Sequence, residues 1–107
     1  MDKYVWTNHA KMKLRFYRLS EGKIKRIIRN PKRVEEGIAL NTIAVMQPAQ
    51  SKKYQEIWTM YQIAKAPIKS GQNKIRIISA WRYPGLSPKK NPIPKEILQE
   101  VRDLLIS

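Results

Sequence analysis

The chain has 107 residues and an apolar share of 42%, which suits one domain with one hydrophobic core. It has no cysteine, which excludes disulfide bonds and thiolate metal sites, and one histidine with eight acidic residues leaves little material for a zinc or two-metal centre. Twenty-two Lys and Arg residues give a net charge of +14, which predicts a surface that meets nucleic acid, an acidic protein or an anionic membrane.

The positive charge is concentrated near the N-terminus. Residues 1–33 contain eleven basic side chains against two acidic ones, which leaves a net charge of +9 in the first third of the chain. We therefore expect the ligand-binding face there, with RNA as the foremost partner. No apolar run approaches the roughly 20 residues that span a bilayer, and residues 1–13 lack the apolar stretch of a signal peptide. These features predict a cytoplasmic protein that does not enter a membrane.

The first predicted element is a helix over about residues 8–18. Thr7 or Asn8 can cap it, because either side chain accepts a hydrogen bond from a free amide of the first turn. The apolar residues at helical spacing, which predict its buried stripe, are Met12, Phe16 and Leu19.

A second basic helix is predicted over about residues 21–29. Ser20 is a favourable cap, and Pro31 ends the helix by disfavouring helical backbone at Asn30. Its apolar stripe consists of Ile24, Ile27 and Ile28. The two helices predict a helical hairpin over about residues 8–30, with one apolar and one basic side.

The period then changes from helical to alternating, which predicts a sheet over about residues 33–83. Its four predicted strands cover about 33–39, 43–47, 54–63 and 74–83, with a turn near Asn41 and a polar loop over 65–73. In the third strand, Ile57, Thr59 and Tyr61 are predicted to face away from Trp58 and Met60. In the fourth strand, one face is predicted to carry Ile75, Ile77, Ser79 and Trp81, and the other Arg76, Ile78, Ala80 and Arg82.

A proline-rich linker over residues 84–93 leads to a last helix, about 94–106, that begins at Pro94. Its amphipathic stripe is Ile97, Leu98, Val101, Leu104 and Leu105. The sequence therefore predicts one α+β domain over residues 1–107. In it, the N-terminal helical hairpin packs on a mostly antiparallel four-stranded sheet, with a C-terminal amphipathic helix.

Three short segments carry a resemblance to a known family. They are Thr7-Asn8-His9-Ala10-Lys11, Leu19-Ser20-Glu21 leading to Asn30-Pro31, and Arg76-Ile77-Ile78-Ser79-Ala80. These segments resemble BrnT-like toxins and related small bacterial domains over about residues 5–83. The order of helices and strands is similar to that of RelE/ParE-type toxins of bacterial toxin–antitoxin pairs.

The resemblance implies a metal-independent ribonuclease or a translation-blocking activity, which an acidic antitoxin neutralises. An arginine would then be an active residue, and Arg82 is the candidate. In BrnT-like proteins the arginine follows the Ser-Ala pair directly, whereas here Trp81 intervenes. One inserted strand residue turns the arginine to the opposite face unless a β-bulge restores it.

Metal-free RNA cleavage needs a base, an acid and a cation that stabilises charge on the phosphorus. The candidate catalytic residues are His9, Arg15, Arg82 and Tyr83. His9 is the base or acid because its ordinary pKa lies near neutrality, or it only caps and packs the first helix. The predicted nucleic-acid-binding residues are Lys11, Lys13, Arg18, Lys25, Arg26, Arg29 and Arg76. No cofactor is expected. Glu35, Glu36 and Glu56 could each serve as a base, but as lone strand glutamates they are expected to be solvated.

Three functions remain open at this point. The first is a toxin-like, metal-independent endoribonuclease. The second is a non-catalytic nucleic-acid-binding module that uses the same basic hairpin and gives His9 no catalytic role. The third is an interaction domain whose basic face binds an acidic protein, such as an antitoxin-like partner.

Overall fold

A computed structural model describes residues 3–37, 41–64, 73–90 and 92–106, and of residues 104–106 it describes the backbone alone. The described residues form three helices and a five-stranded mixed sheet, which confirms the predicted α+β class. The elements are β1 (Lys3–Trp6), α1 (Asn8–Tyr17), α2 (Glu21–Arg29), β2 (Arg33–Glu36), β3 (Thr42–Pro48), β4 (Gln55–Ala64), β5 (Lys74–Pro84) and α3 (Lys95–Ile106).

The prediction of a four-stranded sheet is wrong in detail, because β1 adds a fifth strand. The strand order is β1-β5-β4-β3-β2, and β1 pairs with β5 in parallel while the other neighbours are antiparallel. β1 consists of four residues, and Lys3 pairs with Lys74 across most of the chain. This strand was not predicted because it is short and its partner is remote in sequence, so that no adjacent turn marks the pair.

The predicted packing of a helical hairpin on one sheet face is also wrong in detail. β1 ends opposite Ile77, and α1 then lies along the remaining edge of β5, held by a hydrogen bond from the Thr7 amide to the Ile77 carbonyl (3.2 Å). α2 packs against β3 and β4 on one face, whereas α3 packs against β5 on the other. α1 thus covers a sheet edge that would otherwise expose unpaired backbone groups.

Each face of the sheet has its own hydrophobic core. The core on the side of α1 and α2 contains Ala10, Leu14, Ile24, Ile27, Val45, Ile57, Tyr61, Ile75, Ile77 and Ala80. The core on the side of α3 contains Ala44, Met46, Trp58, Met60, Ile78, Trp81, Ile97 and Val101. The predicted alternation in β4 is confirmed, and Trp58 stacks on its register partner Trp81 with ring centroids 5.9 Å apart. Burial on both faces explains why β4 and β5 are apolar almost throughout.

The predicted buried stripe of α1 is wrong for two of its three residues. Met12 and Phe16 are 50% and 73% exposed, whereas Ala10 and Leu14 are buried against the sheet. Both pairs have the same spacing of four residues, so periodicity alone does not decide between them. The small side chain of Ala10 lets the helix approach β5 closely, and Leu19 is half-buried just beyond the end of the helix.

A β-bulge in β5 overturns the predicted alternation of that strand. Ile77 pairs with Tyr61 and Ser79 pairs with Met60, so Ile78 is an extra residue on β5. Ile78 and Ala80, which were predicted on one face, therefore lie in opposite cores, Ile78 on the α3 side and Ala80 on the other. The bulge reverses the faces of all later residues in the strand.

The remaining boundaries lie close to those predicted. β2 ends at Glu36, and residues 38 and 39, the last of the predicted first strand, lie outside the described residues, as do residues 65–72 of the predicted polar loop. α3 buries Ile97 and Val101 as predicted, and Leu98 is half-buried; the side chains of Leu104 and Leu105 lie outside the description. None of the helices within the described ranges is long and apolar enough to cross a membrane.

Candidate nucleic-acid interface

A groove of about 380 Å³ lies where α1 ends and α2 begins, next to the loop between β3 and β4. Its lining residues, which we call the basic groove, are Arg18, Leu19, Ser20, Lys23, Arg26, Ala49, Gln50, Ile57 and Arg82. Four of these nine residues are cations and none is a carboxylate. The lining of the groove is therefore positively charged, which attracts phosphate groups.

The turn between α1 and α2 brings three of these cations together. Arg18 ends α1 in a left-handed conformation (φ 55°), and its amide donates to the carbonyls of Arg15 and Leu14. Ser20 then caps α2 by accepting from the Lys23 amide at 3.0 Å. Since only Arg18, Leu19 and Ser20 connect the two helices, Arg18 lies directly beside the first turn of α2. Lys23 and Arg26 lie three positions apart on α2 and therefore project from the same side of that helix.

The bulge in β5 supplies the fourth cation. Without the extra residue, Arg82 would lie on the α3 side, together with Arg76. With it, Arg82 pairs with Ile57 and lies on the side of α2. Its Nε donates to the Tyr17 carbonyl at 2.9 Å, which fixes the side chain across the end of α1. This bond uses one of five guanidinium N–H groups, so donors remain for a phosphate.

Two of the segments that carry the family resemblance meet at the bulge: Thr7-Asn8-His9-Ala10-Lys11 and Arg76-Ile77-Ile78-Ser79-Ala80. The Thr7 hydroxyl accepts from the Ala10 amide at 3.0 Å, as a helix cap, and donates to the Ile78 carbonyl at 3.1 Å. His9 Nε2 lies 3.1 Å from Ser79 Oγ. The Thr-x-His-Ala segment thus binds the bulged part of β5, the irregularity after which Arg82 lies on the side of α2.

His9 lies among polar groups from three elements. Its Nε2 is 3.3 Å from Glu100 Oε2 on α3, and Lys13 binds the same carboxylate at 2.8 Å. Burial lowers the pKa of His9, the negative charge of Glu100 partly opposes this, and Lys13 lowers the pKa further. Because the ordinary value is 6.5, the imidazole is neutral at pH 7.

This cluster does not have the geometry of a nucleophilic triad. Ser79 is fully buried, and the same nitrogen of His9 contacts both Ser79 and Glu100. A triad instead requires the nucleophile on one ring nitrogen and the carboxylate on the other. The His9 side chain itself is 11% exposed.

The four predicted catalytic residues do not form one cluster. Arg82 and Tyr83 are neighbours on a strand and lie on opposite faces of the sheet, Arg82 in the basic groove and Tyr83 against the core on the α3 side. His9 lies next to Glu100 of α3, and Arg15 is exposed on α1.

The predicted nucleic-acid-binding residues are dispersed as well. Arg18 and Arg26 line the basic groove, while Lys11 and Arg29 are exposed outside it. The other three contact neighbouring side chains: Lys13 with Glu100, Lys25 with the ring of Tyr4 at 5.1 Å, and Arg76 with Gln62 at 3.4 Å. Lys23 was missing from the predicted set, although its spacing from Arg26 on one helix face could have identified it.

A second polar cluster surrounds Glu56, which was expected to be solvated. That expectation is wrong, because Glu56 is fully buried and accepts from Tyr54 (2.9 Å), Trp58 (3.0 Å) and the Ser87 amide (3.3 Å). Burial opposes its ionisation, but the hydrogen bonds from Ser87, Trp58 and Tyr54 outweigh this and lower the pKa of the carboxyl.

The same cluster anchors the start of the proline-rich segment. Arg33 donates to Ser87 Oγ at 2.7 Å and to the Pro88 carbonyl at 3.0 Å, and its guanidinium lies 5.1 Å from the ring of Trp58. The cluster is therefore structural: Glu56 joins β4 to the chain after β5, and Arg33 joins β2 to the same part of the chain. Within the described ranges no group of three or more His, Cys, Asp or Glu side chains is placed to hold a metal ion.

Comparison with protein-family models and with curated proteins finds no match to this chain.

Proposed function

We propose that this protein binds RNA, and that the basic groove holds its phosphate backbone. The observation that carries the proposal is the convergence of Arg18, Lys23, Arg26 and Arg82 on one concave surface without a carboxylate in its lining. Three of the four are arginines, whose planar guanidinium groups can hold two phosphate oxygens at once.

The surroundings of the groove add to this support. The groove lies at the N-terminal end of α2, where the helix dipole favours an anion. The hydroxyl of Ser20 and the amide of Gln50 also line it. Such neutral groups commonly contact phosphates and sugars in addition to the cations. The groove therefore combines charge with hydrogen-bonding groups on a rigid junction of secondary structure.

The test is the salt dependence of RNA binding. If all four cations contact phosphates of a single strand, the log–log slope of affinity against salt is about −2.8, since each contact contributes about −0.7. Affinity then falls about 50-fold between 50 and 200 mM salt. We expect Arg26→Gln to weaken binding and to make the slope shallower by about 0.7.

Lys74→Gln is the matched control for the groove variants. Lys74 is exposed at the far end of the strand that carries Arg82, about 26 Å away at 3.3 Å per residue. Equal effects of Lys74→Gln and Arg26→Gln would show that binding reflects net charge rather than the groove. Tight binding of an acidic protein, with only weak and unselective RNA binding, would favour the interaction-domain alternative, including an antitoxin-like partner.

The second candidate function is a metal-independent ribonuclease of the toxin–antitoxin type. It is favoured by the neutral imidazole of His9 beside the ammonium of Lys13, because these groups supply a base and a cation. The test is cleavage of RNA in the presence of a chelator, with His9→Ala and Arg82→Ala as variants. Cleavage that both variants lose would support an enzyme. If the RNA stays intact but binds in a salt-dependent way, the ribonuclease function is rejected for free RNA.

A further inference from the structure

α1 exposes an aromatic ring that has no structural role in the cores. Phe16 is 73% exposed and Met12, one turn earlier on the same side of the helix, is 50% exposed. Aromatic rings normally bury most of their surface because of the large hydrophobic gain. The Phe16 ring is therefore available to a ligand on the most basic part of the chain.

The surroundings of Phe16 favour a negatively charged ligand that carries flat rings. The Lys13 ammonium lies 5.6 Å from the centroid of the Phe16 ring, and the ring meets Tyr17 edge-on at 4.8 Å and 83°. α1 contains no acidic residue, and Lys11 and Arg15 are exposed on it. The nearby carboxylate of Glu100 already binds Lys13 and contacts His9.

The exposed patch is also small for a protein partner. Two side chains supply far less apolar surface than the roughly 1,000 Å² that a specific protein interface buries. One ring beside cations is, in contrast, the arrangement on which single-stranded nucleic acids stack their bases.

We propose that the Phe16 ring stacks on an unpaired base of the same RNA strand whose phosphates lie in the basic groove, so that the preferred ligand is single-stranded. This inference rests on the proposed function. A duplex holds its bases in pairs inside the helix and cannot offer one to Phe16 without opening.

The ring and the groove lie close enough for one short strand to reach both. Phe16 precedes the groove residue Arg18 by two positions, so their Cα atoms lie within about 7.6 Å. Single-strand binding sites take about 4–16 nucleotides, so a strand of about eight nucleotides is long enough to contact both.

The experiment measures the affinities of an oligouridine of about eight nucleotides and of a duplex RNA of equal length. We expect Phe16→Ala to weaken binding of the single strand about 5- to 150-fold and to leave duplex binding unchanged, whereas Phe16→Trp retains single-strand affinity. Val34→Ala is the matched control, because Val34 is 61% exposed on β2, at the far edge of the sheet. It should change neither affinity.

A strand with abasic positions completes the test. If Phe16 stacks on a base, wild type should bind this strand as weakly as Phe16→Ala binds the intact one, and the two losses should not add. Equal weakening of single-strand and duplex binding by Phe16→Ala, or fully additive losses, would overturn the stacking proposal. Arg26→Gln separates the two proposals. If Arg26→Gln weakens binding to all three RNAs while Phe16→Ala changes none of these affinities, the groove proposal is supported and the stacking proposal is wrong. If neither variant has an effect, the proposed function fails.

Discussion

Removing the buried carboxylate of Glu56 should destabilise the protein strongly. In Glu56→Ala, the indole N–H of Trp58 and the amide of Ser87 lose their acceptor, and both donors are buried. Each unsatisfied buried donor costs about 1–3 kcal/mol, which gives about 2–6 kcal/mol in total. The hydroxyl of Tyr54 adds little, since this residue is 44% exposed and its hydroxyl can bind water instead. A loss of this size is a large part of the 5–15 kcal/mol that typically stabilises a domain.

Glu56→Gln separates the loss of the acceptor from the loss of charge. The amide oxygen of glutamine can still accept from both Trp58 and Ser87, because Glu56 Oε1 accepts both bonds in the native structure. Only the additional strength of bonds to a charged acceptor is lost, so we expect a cost of about 1–2 kcal/mol. Urea denaturation at pH 7, with the slope of the transition held common to the variants, measures both values.

The pH dependence of stability gives an independent check on Glu56. Its pKa is lowered in the folded protein, so its contribution is present above the ordinary value of 4.5 and is lost as the pH falls through the folded value. The difference in unfolding free energy between wild type and Glu56→Gln should therefore shrink below pH 4.5. A cost below 1 kcal/mol for Glu56→Ala would refute the reasoning, as would equal costs for Ala and Gln.

The remaining predictions concern His9, the cap of α1 and two glycines. Burial lowers the pKa of His9 below 6.5 in the folded protein, so below that pH the unfolded chain binds more protons than the folded one. The unfolding free energy of wild type should therefore rise from pH 5 to pH 7. Urea denaturation should show that His9→Gln lacks this part of the rise. Thr7→Val removes the cap of α1 and the bond to Ile78, so we expect a loss of about 2 kcal/mol, measured by thermal unfolding, and weaker RNA binding if Arg82 is displaced. Gly37→Ala should destabilise by about 1–3 kcal/mol, since an added Cβ would lie 2.8 Å from the backbone of Thr42. Gly22→Ala, with nothing closer than 4.0 Å on an exposed helix, should instead stabilise by about 0.5–1 kcal/mol; equal signs for the two glycine variants would contradict this.

The elements that depend on local signals were predictable from the sequence. Ser20 and Pro31 define α2, and its buried residues Ile24 and Ile27 follow from helical spacing. The alternation of β4 is also visible in the sequence, because an uninterrupted strand has a fixed period of two. The positive charge of residues 1–33 likewise indicated the region that contributes three of the four groove cations.

Three decisive features depend on contacts between distant segments. β1 exists because β5, about 70 positions later, supplies the strand with which it pairs. The buried side of α1 depends on the sheet edge against which Ala10 packs, since the stripe of Met12 and Phe16 has the same spacing. Glu56 is buried because Trp58 and Ser87 provide donors from β4 and from the chain beyond β5.

The sequence by itself determined the fold class, the number and type of most elements, and the sign and approximate place of the charge. The tertiary structure decided which cations meet. One extra residue at Ile78, bonded by Thr7, brings Arg82 to the side of Arg18 and Arg26 instead of leaving it with Arg76. The physical reason is that side-chain direction in a strand reverses with each residue, so a single bulge changes the face of every later side chain. A bulge is stabilised by partners remote in sequence, and no local pattern reveals it.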